Sequence, residues 1–147
     1  MKATILQHAK ATLLLVLLAT LISVAGASAQ TTGFVGTFTL PHEVRWGGAV
    51  LPPGGYTIRM SSVRAPGLIR STDGKTQAFV VTAASGDPEK GSASLTVMTR
   101  GNQRKVVSMN LPSVGASLVY SPLTKSEREI LAKAKQIEAV PLIAAKK

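Results

Sequence analysis

The chain has 147 residues, with seventeen Lys and Arg against seven Asp and Glu and a formal net charge of +10. It contains no cysteine and two histidines, which excludes disulfides, thiol chemistry and zinc sites built from Cys or several His. A chain of this length supports one domain.

The N-terminus reads as a targeting segment. Lys2, His8 and Lys10 make a basic n-region, residues 11–25 are uncharged and rich in Leu, Ala and Val, and Ala27-Ser28-Ala29 supplies the small residues of a cleavage site. The expectation is a signal peptide over 1–29, cut after Ala29. No Arg-Arg pair precedes the apolar run, so general secretion to the periplasm or beyond the cell is favoured. The run falls short of the roughly 20 apolar residues of a spanning helix, and no transmembrane segment is expected after cleavage. Residues 30–147 keep fifteen basic side chains against seven acidic ones. Such a balance serves solubility first and also draws a protein toward anionic surfaces.

Past residue 30 the pattern has period two. In 33–40, GFVGTFTL, the residues Phe34, Gly36, Phe38 and Leu40 share one face. Val44 and Trp46 oppose Glu43 and Arg45, and Tyr56, Ile58 and Met60 alternate with Thr57 and Arg59. Between these runs stands Pro52-Pro53-Gly54-Gly55, a corner in which the prolines cannot donate to a ladder and the glycines accept unusual φ values. Trp46 and Tyr56 bracket the corner; they stack beneath it as core or, if exposed, contact a ligand. LIRS (68–71) and TQAFVVTAA (76–84) flank Asp73-Gly74, a hairpin signal. SASLTVMT (92–99) and KVVSMN (105–110) flank Gly101-Asn102, and SLVY (117–120) closes the series.

These segments predict a mainly β fold: a small antiparallel sandwich or barrel of about seven or eight strands over 30–123. One C-terminal amphipathic helix is expected over 124–140. Ser126 to Glu129 fits a capping box, Ile130, Ala134 and Ile137 fall on one helical face, and Pro141 stops the helix before a loose tail over 141–147.

Three pieces, GTFTLPHEVRWGGAVLPPGGYTI (36–58), LIRSTDGKTQAFVVTA (68–83) and GASLVYSPLTKSEREILAKA (115–134), resemble in order and content a group of small exported β-rich proteins plentiful in acidobacterial genomes. They cover about half of the chain after residue 29. In that group a strand enters a Leu-Pro-Ala-Gly-x-Tyr corner, a hairpin follows, and a helix rich in Ser-Glu-Arg-Glu ends the chain. Here Pro53 and Gly55 stand where Ala and a polar or acidic residue are commoner. The resemblance implies export and a β-fold, and it carries over no catalytic residue.

The residues themselves offer little chemistry. After Ala29 there is one histidine, His42, beside Glu43 on what reads as a strand entrance, and a triad needs three groups that converge. Asp73, Asp87 and Glu89 lie in turns beside Lys75 and Lys90 and read as turn residues, not calcium ligands. Gly33-x-x-Gly36 and Gly47-Gly48 lead into no helix. No catalytic residue, cofactor or metal is therefore expected. Arg100, Arg104 and Lys105 gather at one hairpin tip; nucleic acid is disfavoured because the six aromatics fall mostly on core faces.

The expected function is that of an exported, non-enzymatic β-domain acting as a structural or interaction module of the cell envelope or extracellular space, with a protein partner or self-assembly. The alternative is a binder of anionic lipid headgroups or polysaccharide through basic loops. The candidate ligand or partner contacts are Trp46, Tyr56, Arg100, Arg104, Lys105, Ile130 and Ile137.

Overall fold

The computed structural model describes residues 33–145; the signal-peptide reading of 1–29 lies outside them. The described chain forms twelve strands, one α-helix and one 3-10 turn at Pro112–Val114. A first sheet takes β1 (Phe34–Leu40), β4 (Gly54–Met60), β5 (Gly67–Ser71), β6 (Gln77–Val80) and β12 (Ile143–Ala144), in the order β12-β1-β4-β5-β6. A second holds β7 (Ala84–Gly86), β8 (Ser94–Arg100), β9 (Gln103–Leu111), β10 (Ala116–Val119) and β11 (Ile137–Pro141), ordered β11-β8-β9-β10-β7. The short hairpin β2 (Val44–Trp46) and β3 (Ala49–Leu51) joins that sheet where Arg45 meets Lys105 of β9, the one parallel pairing among the described strands. The helix α1 (Lys125–Lys133) connects β10 to β11.

Alternation decides which side of each strand is buried. β1 is buried at every second residue, and its inner face, with Tyr56, Ile58, Met60 and Ile69, meets Trp46, Leu95, Val97, Val106, Met109 and Leu118 from the second sheet. No ladder joins the two sheets among the described strands, and the fold is a mainly β arrangement of two curled layers around one core. Gly36 has a packing role: a Cβ there would come within 2.7 Å of the Phe34 ring. Both hairpins form where expected. Gly74 (φ 74°) and Gly101 (φ 60°) take the left-handed positions. Asp73 accepts from the Ser71 hydroxyl at 2.6 Å and the Lys75 amide at 3.1 Å, bonds that hold its carboxyl below the usual range.

The C-terminal third differs from expectation. Thr124, not Ser126, is the N-cap: its hydroxyl accepts from the Glu127 amide at 3.2 Å, and the Glu127 carboxylate accepts from the Thr124 amide at 2.8 Å. The helix stops at Lys133 instead of 140, because Lys135 turns into the left-handed region (φ 52°) and the Gln136 amide reaches back to the Leu131 carbonyl at 2.9 Å. This is a Schellman closure with Lys at the position usually held by Gly. Ile137 therefore belongs to β11, opposite Met98, and Pro141 sits opposite Ser94 on that edge strand, where a missing N–H is tolerated. The expected tail is also structured. Leu142 is buried, and Ile143 and Ala144 pair with Thr37 and Gly36 of β1.

Two further differences raise the strand count. The run 76–84 breaks after Val80 and passes from the first sheet to the second, starting β7 at Ala84. Ala49–Leu51 adds β3, and the Pro-Gly corner is confined to its exit.

Candidate functional site

Trp46 and Tyr56 are 0% and 3% exposed, so neither aromatic ring offers the ligand-contact surface considered for it. Both rings flank Phe38, Tyr56 stacked on it at 5.6 Å and Trp46 tilted at 5.8 Å, because the parity of β1, β2 and β4 turns all three inward. The Tyr56 hydroxyl donates to the Pro52 carbonyl at 2.7 Å, and burial, followed by the Asp73 charge, raises its pKa. The corner is thus fastened from beneath by its own tyrosine. Trp46 Nε1 and Tyr120 Oη are buried without a hydrogen-bond partner among the described residues. Burial pushes the Tyr120 phenol up; Thr82 opposes the rise but makes no hydrogen bond of ordinary geometry with it.

The basic hairpin tip is divided. Alternation places Arg104 on the face of Val106, and Arg100 and Lys105 on the opposite one. Lys105 lies in register with Arg45, while Arg100 is near enough to Glu127 to help hold its carboxyl down. Ile130 is 64% exposed and Ile137 lies on a strand, so the helical stripe expected of them does not form. A single exposed Ile is ordinary. His42 is exposed, and among the described residues no three His, Asp or Glu come together. No helix there is long and apolar enough to cross a membrane.

The residues brought together are others. Across the outer face of the first sheet run two cross-strand rows, Val35–Arg59–Leu68–Phe79 and Thr37–Thr57–Arg70–Gln77. Arg59 and Arg70 are diagonal neighbours on adjacent strands, both exposed, a spacing of about 7–8 Å that long side chains span. They border a depression of about 410 Å³ with Thr57, Leu68, Ser71 and Thr72. None of the five strands of this sheet contains Asp or Glu. Phe79, 65% exposed, stands at the end of the first row.

The outer face of the second sheet is roofed instead. The β7–β8 connection is tied down at Asn110, which accepts from the Glu89 amide at 2.9 Å and donates to the Glu89 carbonyl at 3.0 Å. On the other side stands α1, which contributes Arg128 and Ala132. Between them runs a groove of about 350 Å³ bordered by Glu89, Arg128 and the hydroxyls of Thr96, Ser108 and Ser117.

The arrangement defines a cationic, two-sheet β-domain with, among the described residues, one bare face and one roofed face. Compared with known protein families, characterised proteins and solved structures, the chain matches none. The sequence did contain a signal for the bare face: Arg59 and Arg70 each have the parity opposite to their core neighbours. Their adjacency required the β4–β5 register.

Proposed function

We propose that the chain is an exported, non-enzymatic interaction module that holds a phosphate, sulfate or carboxylate group on the bare face of the first sheet. The observation that carries this reading is the pair Arg59 and Arg70 on a sheet whose strands contain no carboxylate. Arginine offers several donors in a planar fork suited to such oxyanions, and Thr57 and Thr72 add hydroxyls around the same depression. Export rests on the n-, h- and c-region pattern of residues 1–29. The resemblance to exported β-rich proteins agrees with it.

The test is binding of the isolated protein to vesicles containing anionic lipid and, separately, to an acidic polysaccharide, each over a range of salt. The expected outcome is affinity for one of them that falls as salt rises and is lost in an Arg59→Gln/Arg70→Gln double variant. An Arg104→Gln control keeps it. Vesicle binding alone identifies a headgroup as the source of the anion, and polysaccharide binding alone identifies a glycan. Equal binding by the double variant overturns the site.

A further inference from the structure

The roofed face has features that packing of the main core does not require. Asn110 is the buried polar residue among the described side chains, and both of its amide hydrogen bonds go to the backbone of Glu89. A buried amide that satisfies a distant loop fixes that loop in place, because leaving it unpaired is costly. Glu89 is thereby held at the groove edge with its carboxylate exposed. The floor is shaped as deliberately. Thr96 pairs with Ser108 and Val97 with Val106, so Val107 is the extra residue of a bulge. Val107 is buried yet lies outside the main core cluster. It borders the groove, and its carbonyl accepts the amides of Tyr120 and Ser121 at 2.9 and 3.1 Å. Bulges of this kind re-aim side chains and gather near sites.

The groove thus has two charged poles, Glu89 from the clamped loop and Arg128 from α1, with hydroxyls between them and an apolar wall of Val119, Leu123 and Ile137. Its volume is at the small end of the roughly 300–1,000 Å³ of small-molecule sites. We propose that this groove binds a small zwitterion of the dipeptide class, with its ammonium toward Glu89, its carboxylate toward Arg128 and an apolar side chain against that wall. A purely anionic ligand would face the carboxylate and a purely cationic one the guanidinium. Only a ligand carrying both charges matches both poles. The site shares no residue with the bare face of the first sheet, so the two readings succeed or fail separately.

The test is a titration of the full chain, followed by amide resonances, with leucyl-leucine, its N-acetyl form and its C-terminal amide. The free dipeptide is expected to shift Thr96, Ser108 and Ser117 at millimolar concentration, and each blocked form to bind roughly tenfold more weakly. Glu89→Gln should erase the preference for the free over the acetylated form and keep that over the amide; Arg128→Gln should do the reverse. Both side chains are exposed, and an unchanged melting temperature verifies that the variants fold. No shift in the groove, or preferences that survive both substitutions, overturns the proposal.

Discussion

The Tyr120 ring stands edge-on to Trp46, centroids 5.0 Å apart and planes at 83°, and each residue brings a buried polar atom that nothing among the described residues satisfies. The packing is favourable for aromatic pairs, whereas an unpaired buried hydroxyl costs about 1–3 kcal/mol. Tyr120→Phe keeps the first and removes the second. The expected result is an unchanged or higher melting temperature, and a clear drop would reveal a partner for the hydroxyl. Trp46→Ala should cost about 3–5 kcal/mol in denaturant unfolding, because the indole is fully buried.

The corner makes a sharper distinction between neighbouring glycines. Gly54 has φ 150°, a region that L side chains avoid, and Gly54→Ala should lose about 1–3 kcal/mol. Gly55 is not in that region; a Cβ there would come within 2.7 Å of Thr72 Oγ1. Gly55→Ala is therefore expected to destabilise by collision alone, and Thr72→Ala to recover most of the loss in a double-mutant cycle. No recovery would mean that the backbone at 55 is the constraint.

At the other end of the chain, Lys135 occupies a left-handed helix exit. Lys135→Gly should raise stability by about 0.5–1 kcal/mol, since glycine takes that conformation without the Cβ penalty. A thermal melt decides it, and a lower midpoint would show that the lysine side chain holds something in place.

Glu127 gives the cap of α1 a pH dependence. The Thr124 amide, then the Thr124 hydroxyl, and least the Arg100 charge hold its carboxyl below the usual value. A depressed folded pKa contributes stability above the unfolded value of about 4.3 and loses it as pH falls through the folded one. The protection of the Thr124 amide, taken relative to its intrinsic exchange rate, should fall over that acid window, and Glu127→Gln should flatten the profile. Equal profiles would place the protection elsewhere.

Most of the layered fold was legible because strand parity is local. Phe34, Phe38, Tyr56 and Ile58 declare their side by alternation alone, and Gly74 and Gly101 mark the hairpins. The C-terminal region misled for an equally physical reason. Ile130, Ala134 and Ile137 satisfy a helical period, and no glycine or proline stands at 135 to announce the stop. β11 and β12 are strands because β8 and β1 offer them edges, which local pattern does not encode. The diagonal placement of Arg59 beside Arg70, and the bonding of Asn110 to Glu89 twenty-one residues away, likewise exist only once the register is set.

The ladder between β1 and β12 has a temporal consequence. The first strand of the fold takes one of its partners from residues 143 and 144, and the neighbouring Leu142 fills part of the core. A chain emerging residue by residue therefore holds an open flank and an unfilled interior until residues 142–144 are made. Long-range closures of this kind are slow. Closure of the first sheet is therefore expected to lag behind the local β4–β5 and β8–β9 hairpins.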